Sequence, residues 1–454
     1  MRRFALLLLL TACGDTANLP ITAGQGPNPR LPPPNASLLP TMKIAKPVGW
    51  PAGATPVAAP GLAVNAFAQG LDHPRWLFAL PNGDILVAET TSPPQPDDEK
   101  GLRGMVAKFI MSSAGAKGAS PNRISLLRDT NGDGIADVKT PFITGLNAPI
   151  GMALVGSDLY VAETDKLTRF AYVAGATAIT TPGVKIADLP GGTRNHHWTK
   201  NVVAAADGKT MYVAVGSNSN VGENGLDVEK NRAAILAIDA ATGATRVFAT
   251  GLRNPVGMAW NPVTGALWTS VNERDEIGSD LVPDYMTSVK AGGHYGWPWS
   301  YYGATVDSRV QPARPDMAAK ALKPDYALGS HTASLGLAFA PPRQALGPGF
   351  ASGAFIGQHG SWNRNPPSGY RVIFVAFDAA GAPQGLPVDV LTGFLDAKGQ
   401  AQGRPVGVAF DAAGGLLVAD DAGNKVWRVT AAKAVAAARP ASAVRPASAV
   451  RITP

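Results

Sequence analysis

The chain has 454 residues, of which 45% are hydrophobic and 16% are charged, and it contains 51 glycines and 39 prolines. Its net charge of +7 comes from residues 1–60 and 431–454, so residues 61–430 are nearly neutral, which excludes nucleic acid as an expected partner. Many turn-forming residues with few charges favour an all-β fold.

The first thirteen residues have the composition of an export signal. Two arginines precede an apolar run over residues 4–10, and Cys13 follows Leu10-Thr11-Ala12. The run is far shorter than the ~20 residues that span a bilayer. An ordinary cleaved signal and a chance apolar start stay open as alternatives. Because Cys13 is the only cysteine, the chain cannot form an internal disulfide framework.

The order of these residues resembles a bacterial lipoprotein signal. That resemblance implies that residues 1–12 are removed, that Cys13 is lipidated, and that the mature chain has no free thiol. Gly14 after the cysteine, rather than Asp, implies a periplasm-facing protein anchored to the outer membrane, with the inner membrane less favoured. Contact with the membrane is expected through the lipid anchor only.

Both ends of the mature chain have the composition of linkers. Residues 13–60 are rich in Pro, Ala, Gly and Asn, which predicts an extended tether below the anchor. Residues 431–454 repeat Arg-Pro-Ala-Ser-Ala-Val, which predicts a disordered basic tail. We therefore expect a head that stays soluble and active when the chain starts near Leu62.

Residues 61–430 repeat one pattern six times. A Gly-Leu or polar turn with a proline precedes an apolar strand, and after a glycine turn a second strand ends in Val-Ala-Glu or a similar triplet. The fifth copy is looser than the others. The copies begin near Gly70, Gly145, His197, Gly251, Thr332 and Gly403.

Six recurring strand pairs predict an all-β, six-bladed β-propeller with four-stranded antiparallel blades. A β-sandwich is the alternative, but it does not explain why the motif returns six times. In a propeller the starts of the repeats converge on one mouth of the central channel, so polar residues there are candidates for function. These are His196, His197, Arg253, Asn254 and Arg404. Cations, an amide and a histidine in one pocket suit an anionic or quinonoid ligand and a substrate that loses a proton.

Three motifs carry a family resemblance. Gly251-Leu252-Arg253-Asn254-Pro255, Gly292-Gly293-His294-Tyr295-Gly296-Trp297-Pro298 and the histidine before the third repeat resemble the soluble glucose and sorbosone dehydrogenases that use pyrroloquinoline quinone (PQQ). The resemblance spans roughly residues 65 to 430. It implies hydride transfer from a sugar carbon to the quinone, with Ca²⁺ as Lewis acid.

The resemblance assigns roles to four residues of the mouth. It implies that His197 is the general base, with His196 as a neighbouring alternative, because a neutral imidazole can take the substrate hydroxyl proton. It implies that Arg253 stabilises the developing oxyanion beside the quinone and that Asn254 is its amide partner. Arg404 matches a residue that binds a carboxylate of the cofactor, although the family's second basic residue is Gln402 here.

Arg364, in Gly360-Ser361-Trp362-Asn363-Arg364, occupies the place of a further basic contact to the cofactor, and a solvated loop arginine is the alternative. The resemblance also implies a catalytic Ca²⁺ held by the backbone carbonyls of Glu273 and Arg274. A second, structural Ca²⁺ is implied at Asp284 and Tyr295, where plain surface charge is an equal alternative for Asp284.

A separate calcium signal lies in residues 129–137. Oxygen-bearing side chains alternate at Asp129, Asn131 and Asp133, Gly134 takes the sixth place, and Asp137 follows. This order resembles the start of an EF-hand loop, although Thr140 stands where the loop usually ends in Glu. We expect a structural Ca²⁺ site away from the channel mouth.

Together these features predict a PQQ-dependent and Ca²⁺-dependent oxidoreductase acting on an aldose or sugar aldehyde. Its electrons would pass to a quinone or cytochrome acceptor. Two other classes stay open. A Ca²⁺-dependent lactonase propeller would place carboxylates and asparagines around a central metal, and a binding propeller would take up no cofactor.

Overall fold

The computed structural model describes residues 15–36, 41–94 and 119–432. Cys13 and the predicted basic tail beyond residue 432 lie outside these ranges. The regular secondary structure of the described residues is almost entirely β-strand. The helical pieces are the α-helix Pro315–Ala319 and the 3₁₀ turns Ile21–Gly24, Asp227–Glu229 and Pro348–Phe350. Within the described ranges, no helix combines the length and the apolar character needed to cross a membrane.

Six four-stranded antiparallel sheets form six blades, which confirms the predicted propeller. The segment ahead of the first blade contributes β1 (Gln25–Gly26), β2 (Val57–Ala58) and β3 (Leu62–Gln69). Blade 1 contains β4 (Pro74–Ala79), β5 (Ile85–Glu89), β6 (Arg123–Arg128) and β7 (Val138–Ile143). Blade 2 contains β8 (Met152–Val155), β9 (Asp158–Ala162), β10 (Lys166–Ala171) and β11 (Val184–Asp188).

The next two blades continue the same order. Blade 3 contains β12 (Lys200–Ala204), β13 (Thr210–Val215), β14 (Ala234–Asp239) and β15 (Thr245–Thr250). Blade 4 contains β16 (Asn254–Trp260), β17 (Leu267–Asn272) and β18 (Pro283–Ser288). An insertion with the short hairpin β19 (Ser300–Tyr301) and β20 (Thr305–Val306) precedes its outer strand, β21 (Tyr326–Ser330).

The last two blades complete the ring. Blade 5 contains β22 (Ser334–Phe339), β23 (Gly353–Gln358), β24 (Arg371–Ala376) and β25 (Val388–Thr392). Blade 6 contains β26 (Pro405–Phe410), β27 (Leu416–Asp420) and β28 (Lys425–Ala431), and β3 is its fourth strand. Since β3 precedes blade 1 in the chain, this pairing closes the propeller without leaving an open sheet edge between its ends.

Each predicted repeat corresponds to the first two strands of a blade, including the looser fifth copy. The strands form because their apolar side chains alternate and are buried between neighbouring blades. One core cluster joins Leu86 and Leu126 of blade 1 to Leu159 and Val161 of blade 2. The four side chains are fully buried, so the apolar pattern of the repeats holds the blades against one another.

The tether prediction is wrong for the described part of residues 13–60, because this segment lies on the propeller. Strand β1 adds a fifth strand to blade 4, and β2 adds one to blade 5. Between them, Trp50 packs edge-on against Phe394 and Trp427, and its Nε1 donates to Asp420 Oδ2 at 2.6 Å. The proline-rich composition suits this path because an extended chain with few N–H donors can cross loops without joining a full ladder.

The blade topology defines one functional face, which we call the mouth face. Each inner strand begins there and each second strand ends there, so the loop into a blade and the loop between its second and third strands meet around the channel. The N-terminal segment also crosses this face. Its backbone N–H groups at Ala17, Lys43 and Val48 donate to the carbonyls of Asn365, Trp362 and Ala401 in mouth-face loops.

Candidate active site at the channel mouth

His197 is the best-oriented histidine of the mouth. It stands in the loop before β12, and its Nδ1 lies 2.9 Å from the carbonyl oxygen of Ser217 and 3.0 Å from the Ser217 hydroxyl. A carbonyl only accepts hydrogen bonds, so Nδ1 carries the hydrogen and Nε2 keeps a lone pair. The His197 side chain is half-buried, and Nε2 is not among the fully buried, unpartnered side-chain atoms of the described residues. The neighbouring His196 is exposed, and its ring meets that of His197 edge-on.

The surroundings of His197 keep its imidazole neutral. Burial lowers its pKa well below 6.5, the positive charge of Arg253 and the nearby His196 and Arg232 lower it further, and the backbone at Ser217 opposes them. The pKa of His197 is therefore lower in the folded chain than in the unfolded chain, where it is about 6.5. The contribution of this group to stability is present above pH 6.5 and is lost as the pH falls through the lower, folded-state pKa.

Replacement of Arg253 by Gln is expected to raise the pKa of His197, because it removes the largest positive charge acting on the ring. The measurement is the pH titration of the His197 Cε1–H proton resonance, which six histidines leave resolvable. Arg246→Gln, an exposed arginine of β15, is the control and should leave the titration unchanged. An unaltered His197 titration in Arg253→Gln would show that the charge of Arg253 does not act on the base.

Arg253 is buried and its guanidinium is fully used by protein groups. It donates to the carbonyls of Asn220, Asn272 and Glu273, to Asn220 Oδ1 and to Asp275 Oδ2, with the shortest bond, 2.6 Å, to Glu273. The structure thus places Arg253 beside His197 as predicted. Its charge acts on the mouth from a fixed position, while its N–H groups orient the loop that follows β17.

The structure explains why two of the three motifs occur together. The segment Gly292–Pro298 lies along β15, where Thr250 N donates to Gly293 O and Tyr295 N donates to Thr250 O. This path brings Trp297 to the mouth face, and its Nε1 donates to Asn220 O at 2.9 Å. The same carbonyl accepts from Arg253 Nε at 3.1 Å. The second motif therefore supports the arginine of the first.

Asn254 and Gly216 form a close contact next to His197. Asn254 Oδ1 is buried and has no hydrogen-bond partner in the described part of the chain. A Cβ atom on Gly216 would overlap both Asn254 Oδ1 and His197 Cβ, so only glycine allows this approach. An unpaired buried acceptor costs free energy, which marks Asn254 as a group available to a ligand.

The other two predicted cofactor arginines are directed partly or wholly to protein groups. Arg404 Nη2 donates to Ala45 O at 2.6 Å, which ties it to the N-terminal segment, although its charge also lowers the pKa of His359 at the mouth. Arg364 is buried between loops of blades 4 and 5, where it donates to Ser279 O and Pro366 O and pairs with Asp280 at 3.5 Å. Neither Arg404 nor Arg364 is among the charges that act on His197.

Sequence reasoning missed a carboxylate at the centre of one arc of the mouth. Asp275 accepts from Arg253 at 3.0 Å and from Asn363 Nδ2 at 2.7 Å, and His331 Nδ1 lies 3.5 Å away. Burial acts to raise the pKa of Asp275, but Arg253 and His331 outweigh it and lower the pKa to about 2. Asp275 is therefore an anion that joins blade 4 to blade 5.

A second carboxylate, also missed, organises the opposite arc. Asp421 accepts from Arg75 Nη1 at 2.6 Å and from His359 Nε2 at 2.9 Å, and the Arg75 guanidinium lies 5.6 Å from the centre of the Trp198 ring. Burial lowers the pKa of His359 despite this carboxylate. A neutral His359 that donates through Nε2 has its lone pair on Nδ1.

These contacts run from blade to blade around the mouth. A signal for the missed residues existed in the repeats. Arg75 follows the proline of the first repeat, and Asp275, His359 and Asp421 follow the second strands of the fourth, fifth and sixth. Because second strands end on the mouth face, inspection of both positions in each repeat would have found them.

The predicted catalytic calcium ligands lie at the mouth, but their side chains turn away from it. Glu273 and Arg274 pair with each other at 3.0 Å, and Arg274 pairs with Asp307 at 3.1 Å, all in the buried base of the loop. The carbonyl of Glu273, one proposed ligand, already accepts from Arg253. A cation on that carbonyl would lie close to the arginine charge.

The predicted pair of Asp284 and Tyr295 is separated in the structure. Asp284 accepts from Glu273 N, Thr332 Oγ1 and Ser334 N near the mouth, and burial raises its pKa to about 6. The Tyr295 hydroxyl donates to the carbonyl of Ser288. Asp284 and Ser288, the partner of Tyr295, occupy opposite ends of β18. The prediction that Asp284 and Tyr295 share one calcium ion is therefore wrong.

The EF-hand-like loop joins β6 to β7 on the face opposite the mouth. Asp129 accepts from the N–H groups of Gly132 and Gly134, and Asp137 accepts from Thr130. Asn131 Oδ1 and Asp133 Oδ1 accept from the N–H groups two residues further along. In the described ranges, no group of three or more His, Cys, Asp or Glu side chains is placed to hold a metal ion. Calcium in this loop stays a prediction.

The arrangement supports proton abstraction next to an anion-binding surface. His197 offers an unprotonated Nε2, Arg253 supplies fixed positive charge, and Asn254 supplies an unpaired oxygen. Asp275 and Asp421 are each compensated by an arginine and accompanied by a histidine. The mouth can therefore accept a proton while it stabilises negative charge on a bound group.

A profile of the TrAA12-like family matches residues 121–288 and 309–432. An uncharacterised protein of Borreliella burgdorferi is 27% identical over 297 residues, covering 63% of this chain and 76% of its own length. A pyrroloquinoline quinone-dependent sugar dehydrogenase of Hypocrea jecorina is 23% identical over 425 residues, covering 82% and 88%.

Among solved structures, the chain is similar to the holo form of the pyranose dehydrogenase PQQ domain of Coprinopsis cinerea. The TM-score is 0.65 at 20% identity, and the alignment covers 86% of this chain and all of the other. At this identity the likeness establishes the shared propeller fold.

Proposed function

The chain belongs to the TrAA12-like family, and we propose that it is a PQQ-dependent oxidoreductase that oxidises an aldose or sugar aldehyde, of the glucose or sorbosone kind. The observation that carries the proposal is His197, whose Nδ1 is fixed on Ser217 and whose Nε2 is left unprotonated in a ring that lies within reach of the Arg253 charge. Family relatives that act on sugars through PQQ support it.

The residues of the mouth fit an anionic quinone. Asn254 Oδ1 is a buried acceptor without a partner in the described ranges, so it can take a hydrogen bond from an N–H group of a ligand, and Gly216 lies so close to it that a Cβ atom there would overlap it. Arg253, Arg75 and Arg404 provide positive charge around the same opening. When bound, PQQ would supply the carbonyl carbon that accepts a hydride.

Each residue then has a defined part in the proposed reaction. His197 Nε2 takes the proton of the substrate hydroxyl, and its hydrogen bond to Ser217 holds the ring during the transfer. Arg253 stabilises negative charge from a position fixed by Asp275 and Asn220. We propose that Arg404 contacts a carboxylate of the cofactor while its bond to the Ala45 carbonyl holds the side chain in place. The alternative of a solvated loop arginine does not hold for Arg364, because its side chain is buried in contacts with Ser279 and Asp280.

Calcium at the carbonyls of Glu273 and Arg274 remains part of this proposal. Because Arg253 donates a hydrogen bond to the Glu273 carbonyl, calcium binding requires that this oxygen accept both the ion and the hydrogen bond, or that Arg253 give up the bond. The lactonase alternative is less well supported. It needs carboxylates turned toward a central metal, whereas Asp275 and Asp421 are each paired with an arginine. A binding propeller explains the positive charge but not the oriented imidazole.

The cell location is a proposal from the N-terminal residues. Lipidation at Cys13 would anchor the protein on the periplasmic side of the outer membrane. An enzyme held there would deliver its electrons to a membrane quinone or a cytochrome. The anchor is not needed for hydride transfer at the mouth, whereas an electron acceptor is needed to reoxidise the reduced quinone after each turnover.

The test is reconstitution of the purified protein. Added PQQ and Ca²⁺ should produce a bound-quinone absorption spectrum and dye reduction with aldoses. Omitting Ca²⁺ in a parallel sample measures its contribution, and a panel of aldoses, sugar aldehydes and lactones separates dehydrogenase from lactonase. If PQQ does not bind at micromolar concentration in either sample, the proposed function is wrong.

A further inference from the structure

Two buried cations lie beneath the loop that carries His197. Lys200, the first residue of β12, is 0% exposed, and Arg232, just before β14, is 6% exposed. Among the described residues, neither has a carboxylate within ion-pair distance. Asp165 and Glu229 act on Lys200 and Arg232 only from further away. Burial lowers the pKa of Lys200 well below its usual value and also lowers the pKa of Arg232, so two basic side chains without a carboxylate partner are costly to bury here and this pair needs a reason.

Both cations bind the main chain of the His197 loop. Lys200 Nζ donates to Trp198 O at 3.1 Å and to His197 O at 3.4 Å. Arg232 donates to the carbonyls of Pro190 and Gly191 at 2.8 and 2.6 Å, where the loop begins. It also donates to Gly216 O at 3.1 Å, immediately before the serine that holds the His197 ring.

The two cations also meet at one side chain, Asn195. Its Oδ1 accepts from Arg232 Nη2 at 2.9 Å and from Lys200 Nζ at 3.3 Å. Its Nδ2 donates to Thr164 Oγ1 at 2.6 Å, and Thr164 Oγ1 donates to Trp198 O at 2.9 Å. Asn195 has φ +33°, a left-handed conformation that asparagine tolerates better than most residues. The loop is thus clamped on both sides of His197.

We propose that Lys200 and Arg232 are positioning residues for the base, holding residues 195–198 through Asn195 and the main chain so that His197 Nε2 stays aimed into the mouth. This inference rests on the proposed function for its effect on catalysis, but the clamp itself can be measured without cofactor. An error of about 1 Å in the position of a reacting group can cost 10²-fold in rate, which is a reason to keep an expensive anchor.

The charged groups around His197 include more than this clamp. Arg253 approaches from the start of β16, His196 from the same loop, and Arg232 from below, while Ser217 binds the ring. The clamp therefore acts on His197 mainly by fixing the position of its loop, and the charge of Arg232 makes a smaller contribution by lowering the pKa of the ring. Replacing Lys200 should mainly loosen the loop, and adding a negative charge at Asn195 should mainly change the field.

The experiment compares Lys200→Met and Asn195→Asp with Lys209→Met, which alters an exposed lysine in the same blade on the far face. In protein without cofactor, the His197 Cε1–H resonance should broaden or shift in Lys200→Met. In Asn195→Asp it should titrate at a higher pH than in the wild type, and Lys209→Met should match the wild type. In reconstituted enzyme, Lys200→Met should lower kcat by about 10- to 100-fold and change KM by less than about twofold.

The two readouts separate the two proposals. A folded Lys200→Met protein with the wild-type His197 resonance and wild-type kcat would overturn the positioning role, whatever the cofactor result. If Lys200→Met does not fold, Asn195→Ala, which removes the Oδ1 acceptor shared by Arg232 and Lys200 without adding a charge, decides the question by the same resonance. A changed His197 resonance in protein that never binds PQQ would uphold the clamp while the proposed function fails.

Discussion

His197→Ala is expected to abolish sugar-dependent dye reduction, with kcat lowered by about 10²- to 10⁴-fold, the range found for loss of a general base. Bound PQQ should still be visible in the absorption spectrum. The imidazole that is lost was bonded to Ser217, and the arginines that give the mouth its positive charge remain in place. The measurement is steady-state kinetics on variant and wild type reconstituted to the same occupancy.

His196→Ala is the matched control for that result. His196 is exposed and its backbone N–H, which the substitution keeps, donates to Asn218 Oδ1. Its kcat should stay within about threefold of the wild type, because His196 is exposed and its removal leaves the bonds that hold the His197 ring on Ser217 unchanged. A large loss in His196→Ala with little loss in His197→Ala would assign the base to the other histidine.

Truncation of the chain to start at Leu62 is expected to destabilise the propeller strongly, which reverses the expectation from sequence. The cut removes β1 and β2 and the Trp50 side chain, which packs on Phe394 and Trp427 and binds Asp420. Loss of a fully buried tryptophan costs about 3–5 kcal/mol; Trp50 is partly buried and contributes less than this, and the loss of β1 and β2 adds to it. The melting temperature should therefore fall by roughly 5–10 °C, because each kcal/mol shifts a domain of this size by a few degrees or less.

The same truncation should weaken PQQ binding, because Arg404 loses its bond to Ala45 and the loops at Trp362 and Asn365 lose backbone partners. A chain that starts at Asp15 keeps all of these contacts and is the control. Trp50→Phe in the full chain isolates the tryptophan. If the chain starting at Leu62 melts with the control and binds PQQ equally, the N-terminal segment is dispensable as the composition suggested.

Much of the fold could be predicted because local sequence patterns specify the strands and turns of each blade. Each repeat carries its own turn residues and its own alternating strands, so recognising six copies sets the number of blades. The N-terminal segment could not be assigned in the same way. Its proline-rich composition is equally that of a free linker, and its contacts join residues separated by hundreds of positions, such as Trp50 and Asp420.

The candidate site divides along a similar line. His197, Arg253 and Asn254 are at repeat starts, and the structure brings these three together. Arg364 is also an arginine of a mouth-face loop, but its guanidinium is bound by Ser279 and Asp280 among the buried loops of blades 4 and 5. Sequence spacing also cannot show that Asp284 and Tyr295 serve opposite ends of one strand, because the insertion that carries Tyr295 follows a path set by β15.

The amino-acid order specifies which residues reach the mouth, since strand period and turn chemistry act over a few positions. It does not specify which partners they meet there. The pairings of Arg253 with Asp275, of Arg75 with Asp421, and of Lys200 with the backbone around His197 depend on how six blades and the N-terminal segment pack. Such pairings arise from long-range packing and burial, which assign each buried charge to the partner within reach when the ring closes.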